Sequence, residues 1–222
     1  MGKSFIYGAG ITAGTYVEIL KHSSVEQFSA LTGLVDDNQE LWQKEKYGMK
    51  VLGGIESLPG LVQEHAIDGF YMALMAVKHI YVKNNIFDKF TSMGLKPLNL
   101  ISGSSYISFD ASLDSGIVIF PGSMIGSGVK IKNNVIIHAL VSILEESVLQ
   151  ENCAVASNTF IGARCNIGKN VYIGPGCTIG YGVTVGDDSV VGAGSVVLKD
   201  VPSGVLGFGN PFKINGPNKY LP

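Results

Sequence analysis

The second half of the chain carries an aliphatic residue at every sixth position. Steps of six from Ile107 to Val197 give 16 hexads without a break. A period of six fits neither an amphipathic helix nor a simple alternating strand, but it is typical of a parallel β-helix, in which each hexad supplies a short strand and a corner. We therefore predict a β-helix. The series comprises Ile107, Leu113, Ile119, Ile125, Ile131, Ile137, Ile143, Leu149, Val155, Ile161, Ile167, Ile173, Ile179, Val185, Val191 and Val197.

Three cysteines fall in one register of this repeat. Cys153, Cys165 and Cys177 each lie four residues after an aliphatic position, where most other hexads have small or β-branched residues. Their spacing of 12 does not match the paired cysteines of a zinc site, so we predict buried core residues rather than ligands or nucleophiles. Glycine directly follows the aliphatic residue in six consecutive hexads, from Gly162 to Gly192. We expect these glycines to form tight corners.

The first hundred residues alternate strand-like and helix-like segments. Residues 3–7 read as a strand, and a glycine-bearing turn and a helix over about 12–22 follow. Further strands are predicted at 31–35 and 70–74, and a second helix at about 79–93 ends before a glycine that suits a C-cap. This order predicts a small α/β, Rossmann-like unit with a parallel sheet.

The composition fits a folded protein that binds small molecules. The chain has 222 residues, of which 46% are hydrophobic, and no apolar run approaches the roughly 18 residues of a membrane span. A formal charge of −2 without a basic cluster does not favour nucleic acid or anionic lipid as a partner. The N-terminus shows no secretory signal pattern, so we expect a cytoplasmic protein. We divide the chain into residues 1–100, the β-helix 101–201 and a C-terminal tail 202–222.

The repeat and the tail resemble a known family. The hexads, the order of the two halves and the segments Gly-Ala-Gly-Ser-Val-Val at 192–197, Asp-Val-Pro at 200–202 and Gly-Asn-Pro at 209–211 resemble the left-handed β-helix, hexapeptide-repeat acyltransferases. The resemblance is to the subgroup that contains sialic acid O-acetyltransferases and UDP-4-amino-sugar N-acetyltransferases. It implies that the N-terminal unit binds a nucleotide-sugar of bacterial surface-glycan biosynthesis. It also implies that acetyl-CoA lies along the β-helix between subunits of a homotrimer.

The predicted nucleotide site lies at the first turn of the α/β unit. The family loop usually reads Gly-Ala-x-Gly-His-Gly, and this chain keeps Gly8 and Gly10, followed by Thr12, but lacks the histidine and one glycine. A helix N-terminus after such a turn offers N–H groups and a dipole that suit phosphate. Asp36 and Asp37 follow the second strand, where carboxylates can accept hydrogen bonds from ribose hydroxyls or a uracil N–H. The alternatives are a glycine turn that only lets strand and helix pack, and a solvated acidic turn.

The predicted acyl-transfer centre departs from the family. In the family, the general base is a histidine. The matching position in this chain is Glu145, and Glu146 is its acidic neighbour. A second family histidine, which helps to hold the acyl group, corresponds to Ala154, and the backbone N–H that polarises the thioester corresponds to Ala163. His138 is the only histidine of the β-helix. We therefore predict that Glu145 or His138 is the base, since catalysis needs a group that takes a proton from the attacking amine or hydroxyl.

The acyl donor is predicted to be acetyl-CoA, bound without a metal by backbone groups of the last coils. These groups belong to Gly174, Pro175, Gly192, Ala193 and Gly194.

Other functions remain open or are disfavoured. The chain could be a degenerate scaffold that keeps the groove without turnover. A zinc hydratase on the same repeat is disfavoured, because it needs three histidine ligands and the β-helix has one histidine. A nicotinamide oxidoreductase is also disfavoured, because about 100 residues of α/β leave room for only half of a dinucleotide-binding fold. The family segment Ile-Gly-Asn followed by Arg corresponds to residues 74–78, which lack the glycine and the arginine. The sugar and its nucleotide therefore stay open.

Overall fold

Each predicted hexad forms one strand of a parallel β-helix. A computed structural model, which describes residues 2–74 and 80–221, has a two-residue strand at all 16 positions and one further strand before them. Each of these strands except the last three pairs in parallel with the strand 18 residues later, so one coil contains three hexads. The predicted parallel β-helix is therefore confirmed. Its strands are β7 (Leu100–Ile101), β8 (Tyr106–Ile107), β9 (Ser112–Leu113), β10 (Val118–Ile119), β11 (Met124–Ile125), β12 (Lys130–Ile131), β13 (Ile136–Ile137), β14 (Ser142–Ile143), β15 (Val148–Leu149), β16 (Ala154–Val155), β17 (Phe160–Ile161), β18 (Asn166–Ile167), β19 (Tyr172–Ile173), β20 (Thr178–Ile179), β21 (Thr184–Val185), β22 (Val190–Val191) and β23 (Val196–Val197).

The strands form three flat faces around an aliphatic interior. Face 1 consists of β7, β10, β13, β16, β19 and β22, face 2 of β8, β11, β14, β17, β20 and β23, and face 3 of β9, β12, β15, β18 and β21. We name the corner between two faces by their numbers, so the chain passes through corner 1–2, corner 2–3 and corner 3–1 in each coil. Cys153, Cys165 and Cys177 lie in the interior with the aliphatic series, as predicted. Burial raises the pKa of the Cys153 thiol to about 12.

The glycines after the aliphatic residues have a different role from the predicted one. The left-handed corner conformation belongs to the residue two positions later, for example Arg164 with φ of 58° after Gly162. A Cβ on Gly162 would lie 2.9 Å from the backbone nitrogen of Tyr181, and one on Gly174 would lie 2.6 Å from that of Ala193. These glycines lie in the corners, as predicted, but none of them adopts the left-handed turn conformation. They are required because adjacent coils approach too closely for a side chain.

The α/β unit has a mainly parallel sheet with helices on both sides. Its elements are β1 (Lys3–Tyr7), α1 (Ile11–Ser23), α2 (Val25–Ser29), β2 (Leu31–Val35), β3 (Glu45–Lys46), β4 (Met49–Gly53), α3 (Leu58–His65), β5 (Ile67–Met72), α4 (Ile80–Ser92) and β6 (Lys96–Pro97), with 3-10 turns at Gln39–Leu41 and Ile55–Ser57. The sheet order is β3-β4-β2-β1-β5-β6, and the central strand β1 pairs in parallel with β2 and β5. Helix α1 packs on one side of the sheet, and α3 and α4 pack on the other.

Most predicted elements of this unit match the structure. Strands β1 and β2 have the predicted bounds, and Gly94 follows α4 in the left-handed conformation that a C-cap requires, with φ of 83°. Strand β5 begins three residues earlier than predicted and ends two residues earlier. The predicted start of α4 at residue 79 lies outside the described residues. No helix in the described ranges is long and apolar enough to cross a membrane.

The α/β unit rests on face 1 of the β-helix. Val118 and Ile136 of face 1 are buried against residues of α1 and the sheet. At the start of α4, Lys83 is only 2% exposed, and its Nζ donates a hydrogen bond of 2.6 Å to the Asn134 carbonyl. Burial lowers the pKa of this ammonium to about 7. After the last coil, β24 (Val205–Phe208) extends face 1 and pairs antiparallel with β25 (Lys213–Pro217).

Candidate active site

A crevice opens at the carboxyl ends of β1 and β2. Its volume is about 230 Å³. Gly8, Asp36 and Asp37 of the predicted nucleotide site all line it, whereas Gly10 and Thr12 lie beyond the lining, at the start of α1. Gly10 is the N-cap of α1 and supplies no side-chain cap. The full lining is Tyr7, Gly8, Asp36, Asp37, Leu74, Val82 and Ile86.

Both aspartates are held by hydrogen bonds from the protein. Asp36 Oδ2 accepts from the Ala9 N–H at 2.7 Å, and Asp37 accepts from the Tyr7 hydroxyl at 2.6 Å and the Ile55 N–H at 2.8 Å. Burial, and then the bond to Asp37, raise the pKa of Tyr7. A carboxylate oxygen has two lone pairs, so both side chains keep acceptor capacity toward a ligand. Tyr7 was missed in the sequence because its strand position predicts only a core residue.

The glycines of this loop have packing reasons as well. Gly8 has φ of 99°, and a Cβ there would lie 3.3 Å from the Ala73 carbonyl oxygen. Gly14, in the first turn of α1, lies under the Tyr47 ring, and a Cβ on it would lie 2.7 Å from a ring carbon. The packing alternative therefore accounts for Gly14. Of the segment 74–78, only Leu74 lies within the described residues, and it lines the crevice.

Corner 2–3 carries three of the predicted transfer residues. Glu145 and Ala163 occupy the same corner position in successive coils, and the N–H of Arg164 donates to the Glu145 carbonyl at 2.8 Å. The Glu145 side chain is exposed. Within the described chain, the Ala163 N–H donates no hydrogen bond. This N–H is therefore available to an acyl oxygen.

The carboxylate of Glu146 pairs with an arginine. Arg164 Nε donates to Glu146 Oε2 at 2.8 Å, and its Nη1 donates to the Tyr181 hydroxyl at 2.9 Å. The guanidinium also lies 6.0 Å from the centre of the Tyr181 ring. The orienting role of Glu146 toward Glu145 stays a prediction. Arg164 and Tyr181 were missed, although the 18-residue coil places them beside Glu146 and Ala163.

His138 lies at corner 1–2, on a different edge of the prism from Glu145. Its ring stacks on Phe120 with centroids 5.0 Å apart and an interplanar angle of 4°. It lines a small cavity of about 10 Å³ together with Lys83 and Ala154. Burial lowers the pKa of this imidazole. One chain therefore does not bring the two candidate bases together.

The residues predicted to bind acyl-CoA also lie at corner 1–2. Gly174 and Pro175 occupy one coil, and Gly192, Ala193 and Gly194 occupy the next, where the Gly194 N–H donates to the Pro175 carbonyl at 2.9 Å. They share this corner with His138 and are separated from the Ala163 N–H by the whole of face 2. A groove that uses both sets of groups therefore needs a second copy of the chain.

A larger cleft lies where corner 2–3 meets the C-terminal tail. Its volume is about 530 Å³, and Lys199 and Lys213 both line it. Two ammonium groups beside apolar side chains suit a ligand that has both anionic and apolar parts. Sequence reasoning missed this cleft because the tail lies outside the hexad register. The lining residues are Val196, Val197, Leu198, Lys199, Asp200, Pro211, Phe212, Lys213 and Ile214.

A metal centre of the hydratase type is not seen at these sites. In the described ranges, no group of three or more histidine, cysteine, aspartate or glutamate side chains could hold a metal ion. His138 is the only histidine of the β-helix, whereas such a centre takes three histidines.

Comparisons with known proteins agree with this architecture. Residues 101–201 match the sequence family described as "GMPPB C-terminal domain". No curated protein matches the chain. The acetyltransferase domain of PglB from Neisseria gonorrhoeae FA1090 is 21% identical with a TM-score of 0.82, over 96% of this chain and 100% of that one. WeeI from Acinetobacter baumannii AYE is 20% identical with a TM-score of 0.64, over 96% of this chain and 100% of that one.

A third structure carries two bound ligands. A histidine-to-asparagine mutant of perosamine N-acetyltransferase from Caulobacter crescentus, in complex with CoA and GDP-perosamine, is 25% identical to this chain. Its TM-score is 0.74, over 97% of this chain and 98% of that one. Since these matches span both the α/β unit and the β-helix, the chain has the fold of the left-handed β-helix acetyltransferases that the sequence resembles.

Proposed function

We propose that the chain is an acetyl-CoA-dependent transferase that acylates an amino or hydroxyl group of a nucleotide-linked sugar in bacterial surface-glycan biosynthesis. The observation that carries the proposal is the full-length likeness to a sugar N-acetyltransferase in complex with CoA and GDP-perosamine. A crevice at the strand ends, and an Ala163 N–H that donates no hydrogen bond within the described chain, are consistent with it. We place the reaction in the cytoplasm, as predicted from the N-terminal sequence.

The nucleotide is proposed to bind the Rossmann-like α/β unit. The turn from Gly8 to Gly10 and the first N–H groups of α1 around Thr12 would receive phosphate, since this helix end carries no side-chain cap. Asp36 and Asp37 line the crevice beside this turn and would accept hydrogen bonds from the nucleoside. Their bonds to the protein fix both carboxylates before the ligand arrives.

The working form is proposed to be a homotrimer. On face 1, Val118 is buried by the α/β unit, and on face 3 the outward residue Lys130 is exposed and charged. Face 2 and its edge instead present large apolar side chains: Tyr106 is 62% exposed, Phe160 41% and Leu198 66%. A closed ring of copies would cover this face and bring corner 2–3 of one copy against corner 1–2 of the next.

Acetyl-CoA is proposed to lie in the groove between those two corners. The Ala163 N–H of one copy would donate to the thioester oxygen, and backbone groups from Gly174 to Gly194 of the next would line the pantetheine arm. The cleft with Lys199 and Lys213 lies two coils further along corner 2–3 than Ala163, roughly 10 Å away at the usual strand spacing. Its ammonium groups would receive the phosphates.

The chemistry needs one proton acceptor. The acceptor nitrogen or oxygen attacks the thioester carbon, and Glu145 or His138 takes its proton. The C–S bond then breaks, and the CoA thiolate leaves with a proton. Glu145 lies at corner 2–3 with the Ala163 N–H. His138 lies at corner 1–2 with the backbone groups that are proposed to line the pantetheine arm.

The test measures acetyl-CoA consumption in the presence of UDP- and GDP-linked amino sugars, and the reaction is monitored through release of the CoA thiol. Glu145→Gln and His138→Ala are compared with controls at exposed residues, Glu56→Gln and His22→Ala. We expect a fall of about 10²-fold or more in one test variant and unchanged controls. Unchanged rates in both test variants would remove the base assignment. Coenzyme A binding without turnover would favour the scaffold alternative, and no binding at millimolar ligand would refute the proposal.

A further inference from the structure

A network of hydrogen bonds between exposed side chains crosses three coils at corner 2–3. Glu146, Arg164 and Tyr181 occupy this corner in successive coils, and Arg164 bonds to both neighbours, at 2.8 Å through Nε and at 2.9 Å through Nη1. Its guanidinium also lies over the Tyr181 ring. An exposed arginine usually samples many rotamers, whereas these contacts hold this one in a single direction.

One edge of this guanidinium is left without a partner. Within the described chain, Arg164 Nη2 donates no hydrogen bond, and neither does the N–H of the adjacent Ala163. Ala163 lies one coil after Glu145, and the backbone N–H of Arg164 donates to the Glu145 carbonyl at 2.8 Å, so both residues belong to the corner where the acyl group is proposed to react. The position of the family's second histidine is Ala154, which lies on face 1 beside the cavity of His138 and not at this corner.

We infer that Arg164 is a further catalytic residue of the proposed transferase, and that its Nη2 donates to the acyl oxygen together with the Ala163 N–H. The inference rests on the proposed function. Glu146 and Tyr181 are positioning residues, which hold the guanidinium toward the reacting carbonyl. The ligand chemistry is that of an oxyanion, which a fixed cationic donor stabilises most when its charge develops.

The step balances without another reactant. The acceptor nitrogen or oxygen forms a bond to the thioester carbon, and the carbonyl π electrons move to oxygen, where Ala163 N–H and Arg164 Nη2 donate. The oxygen electrons then restore the C=O bond as the C–S bond breaks. The acceptor proton passes to the base and then to the CoA thiolate. Arg164 keeps all its protons.

A purely structural role for the network is the competing explanation. Glu146 and Arg164 are 61% and 60% exposed in their side chains, and ion pairs at such positions contribute little to stability. The core of the β-helix, by contrast, is a continuous aliphatic cluster. Loss of the network should therefore leave the fold intact, and an effect on rate can be separated from an effect on folding.

The experiment measures thiol release from acetyl-CoA in full-length protein, with and without an amino-sugar nucleotide. Arg164→Met is compared with Lys132→Met, which removes a cation from corner 3–1. We expect kcat to fall about 10²-fold in Arg164→Met, while KM for acetyl-CoA and the melting temperature change little. Arg164→Lys, which keeps the charge but not the planar fork, should fall between the two, and Tyr181→Phe should lose a few-fold. Lys132→Met should match the wild type.

The outcomes separate this inference from the proposed function. If the wild type turns over and the rate of Arg164→Met is within threefold of the wild-type rate, the role of Arg164 is overturned. The proposed transferase function is not affected by that result. A fall accompanied by lost coenzyme A binding or a lower melting temperature would assign Arg164 to structure, which also overturns the inference. A wild type that binds acetyl-CoA but releases no thiol, with or without acceptor, would refute the proposed function and this inference with it.

Discussion

Lys83→Met is expected to remove most of the pH dependence of stability between pH 7 and 9. Lys83 is 2% exposed where α4 meets face 1, and burial lowers the pKa of its ammonium from 10.5 to about 7. The folded-state pKa lies below the unfolded one, so the unfolded chain binds more protons between these two values. Stability is therefore lowest below pH 7 and rises until pH passes 10.5.

The magnitude follows from the size of the pKa change. One pKa unit corresponds to about 1.4 kcal/mol, so keeping a protonated Lys83 in the fold costs about 5 kcal/mol below pH 7. About 2 kcal/mol of this is relieved between pH 7 and 9. Two other buried groups titrate outside the range from pH 7 to 9. Burial lowers the pKa of His138 from 6.5, and it raises the pKa of the Cys153 thiol from 9.0 to about 12. Those groups affect stability below and above this range.

The assay is urea unfolding at pH 7, 8 and 9, followed by the fluorescence of Trp42, the single tryptophan. The free energy of unfolding should rise by about 2 kcal/mol in the wild type and stay nearly constant in Lys83→Met. Lys89→Met is the matched control, because Lys89 lies on the same helix with a side chain 51% exposed. Equal rises in the wild type and Lys83→Met would refute the reasoning.

Two further predictions concern the β-helix. Gly162→Ala should lower the free energy of unfolding by about 1–3 kcal/mol, because its Cβ would lie 2.9 Å from the Tyr181 nitrogen. The control Gly60→Ala has open space around the new Cβ and should lose no stability. Equal melting temperatures for the two variants would contradict the argument from contacts between coils. Phe160→Glu should convert a trimer into monomers of 23.5 kDa by light scattering, since it charges face 2; Lys130→Glu on face 3 should not, and a wild-type monomer at all concentrations would remove the basis of this prediction.

The repeat was predictable because each hexad carries its own information. An aliphatic residue every six positions decides which side chain points inward, and three hexads close one coil of 18 residues. Cys153 could be placed in the core for the same reason. Local pattern also predicted β1 and β2, since short apolar runs bounded by turn residues are typical of buried strands.

Contacts between distant residues were not predictable in this way. Tyr7 reaches Asp37 across 30 positions, and Lys83 reaches Asn134 across 51, where nothing in the local pattern marks either partner. The reason proposed for the glycines was wrong because the sequence shows that a residue is small but not which coil it touches. Only stacked coils show that Gly162 faces the Tyr181 backbone.

The sequence by itself determined the β-helix, its interior and the candidate residues of each site. The tertiary structure decided how those candidates are arranged: Glu145 and Ala163 at corner 2–3, His138 at corner 1–2, and Glu146 paired with Arg164. The physical reason is that hexad phase specifies inside and outside for each residue. The side chains that an outward residue contacts, and the face that is covered, depend on how the coils stack and on where the α/β unit packs.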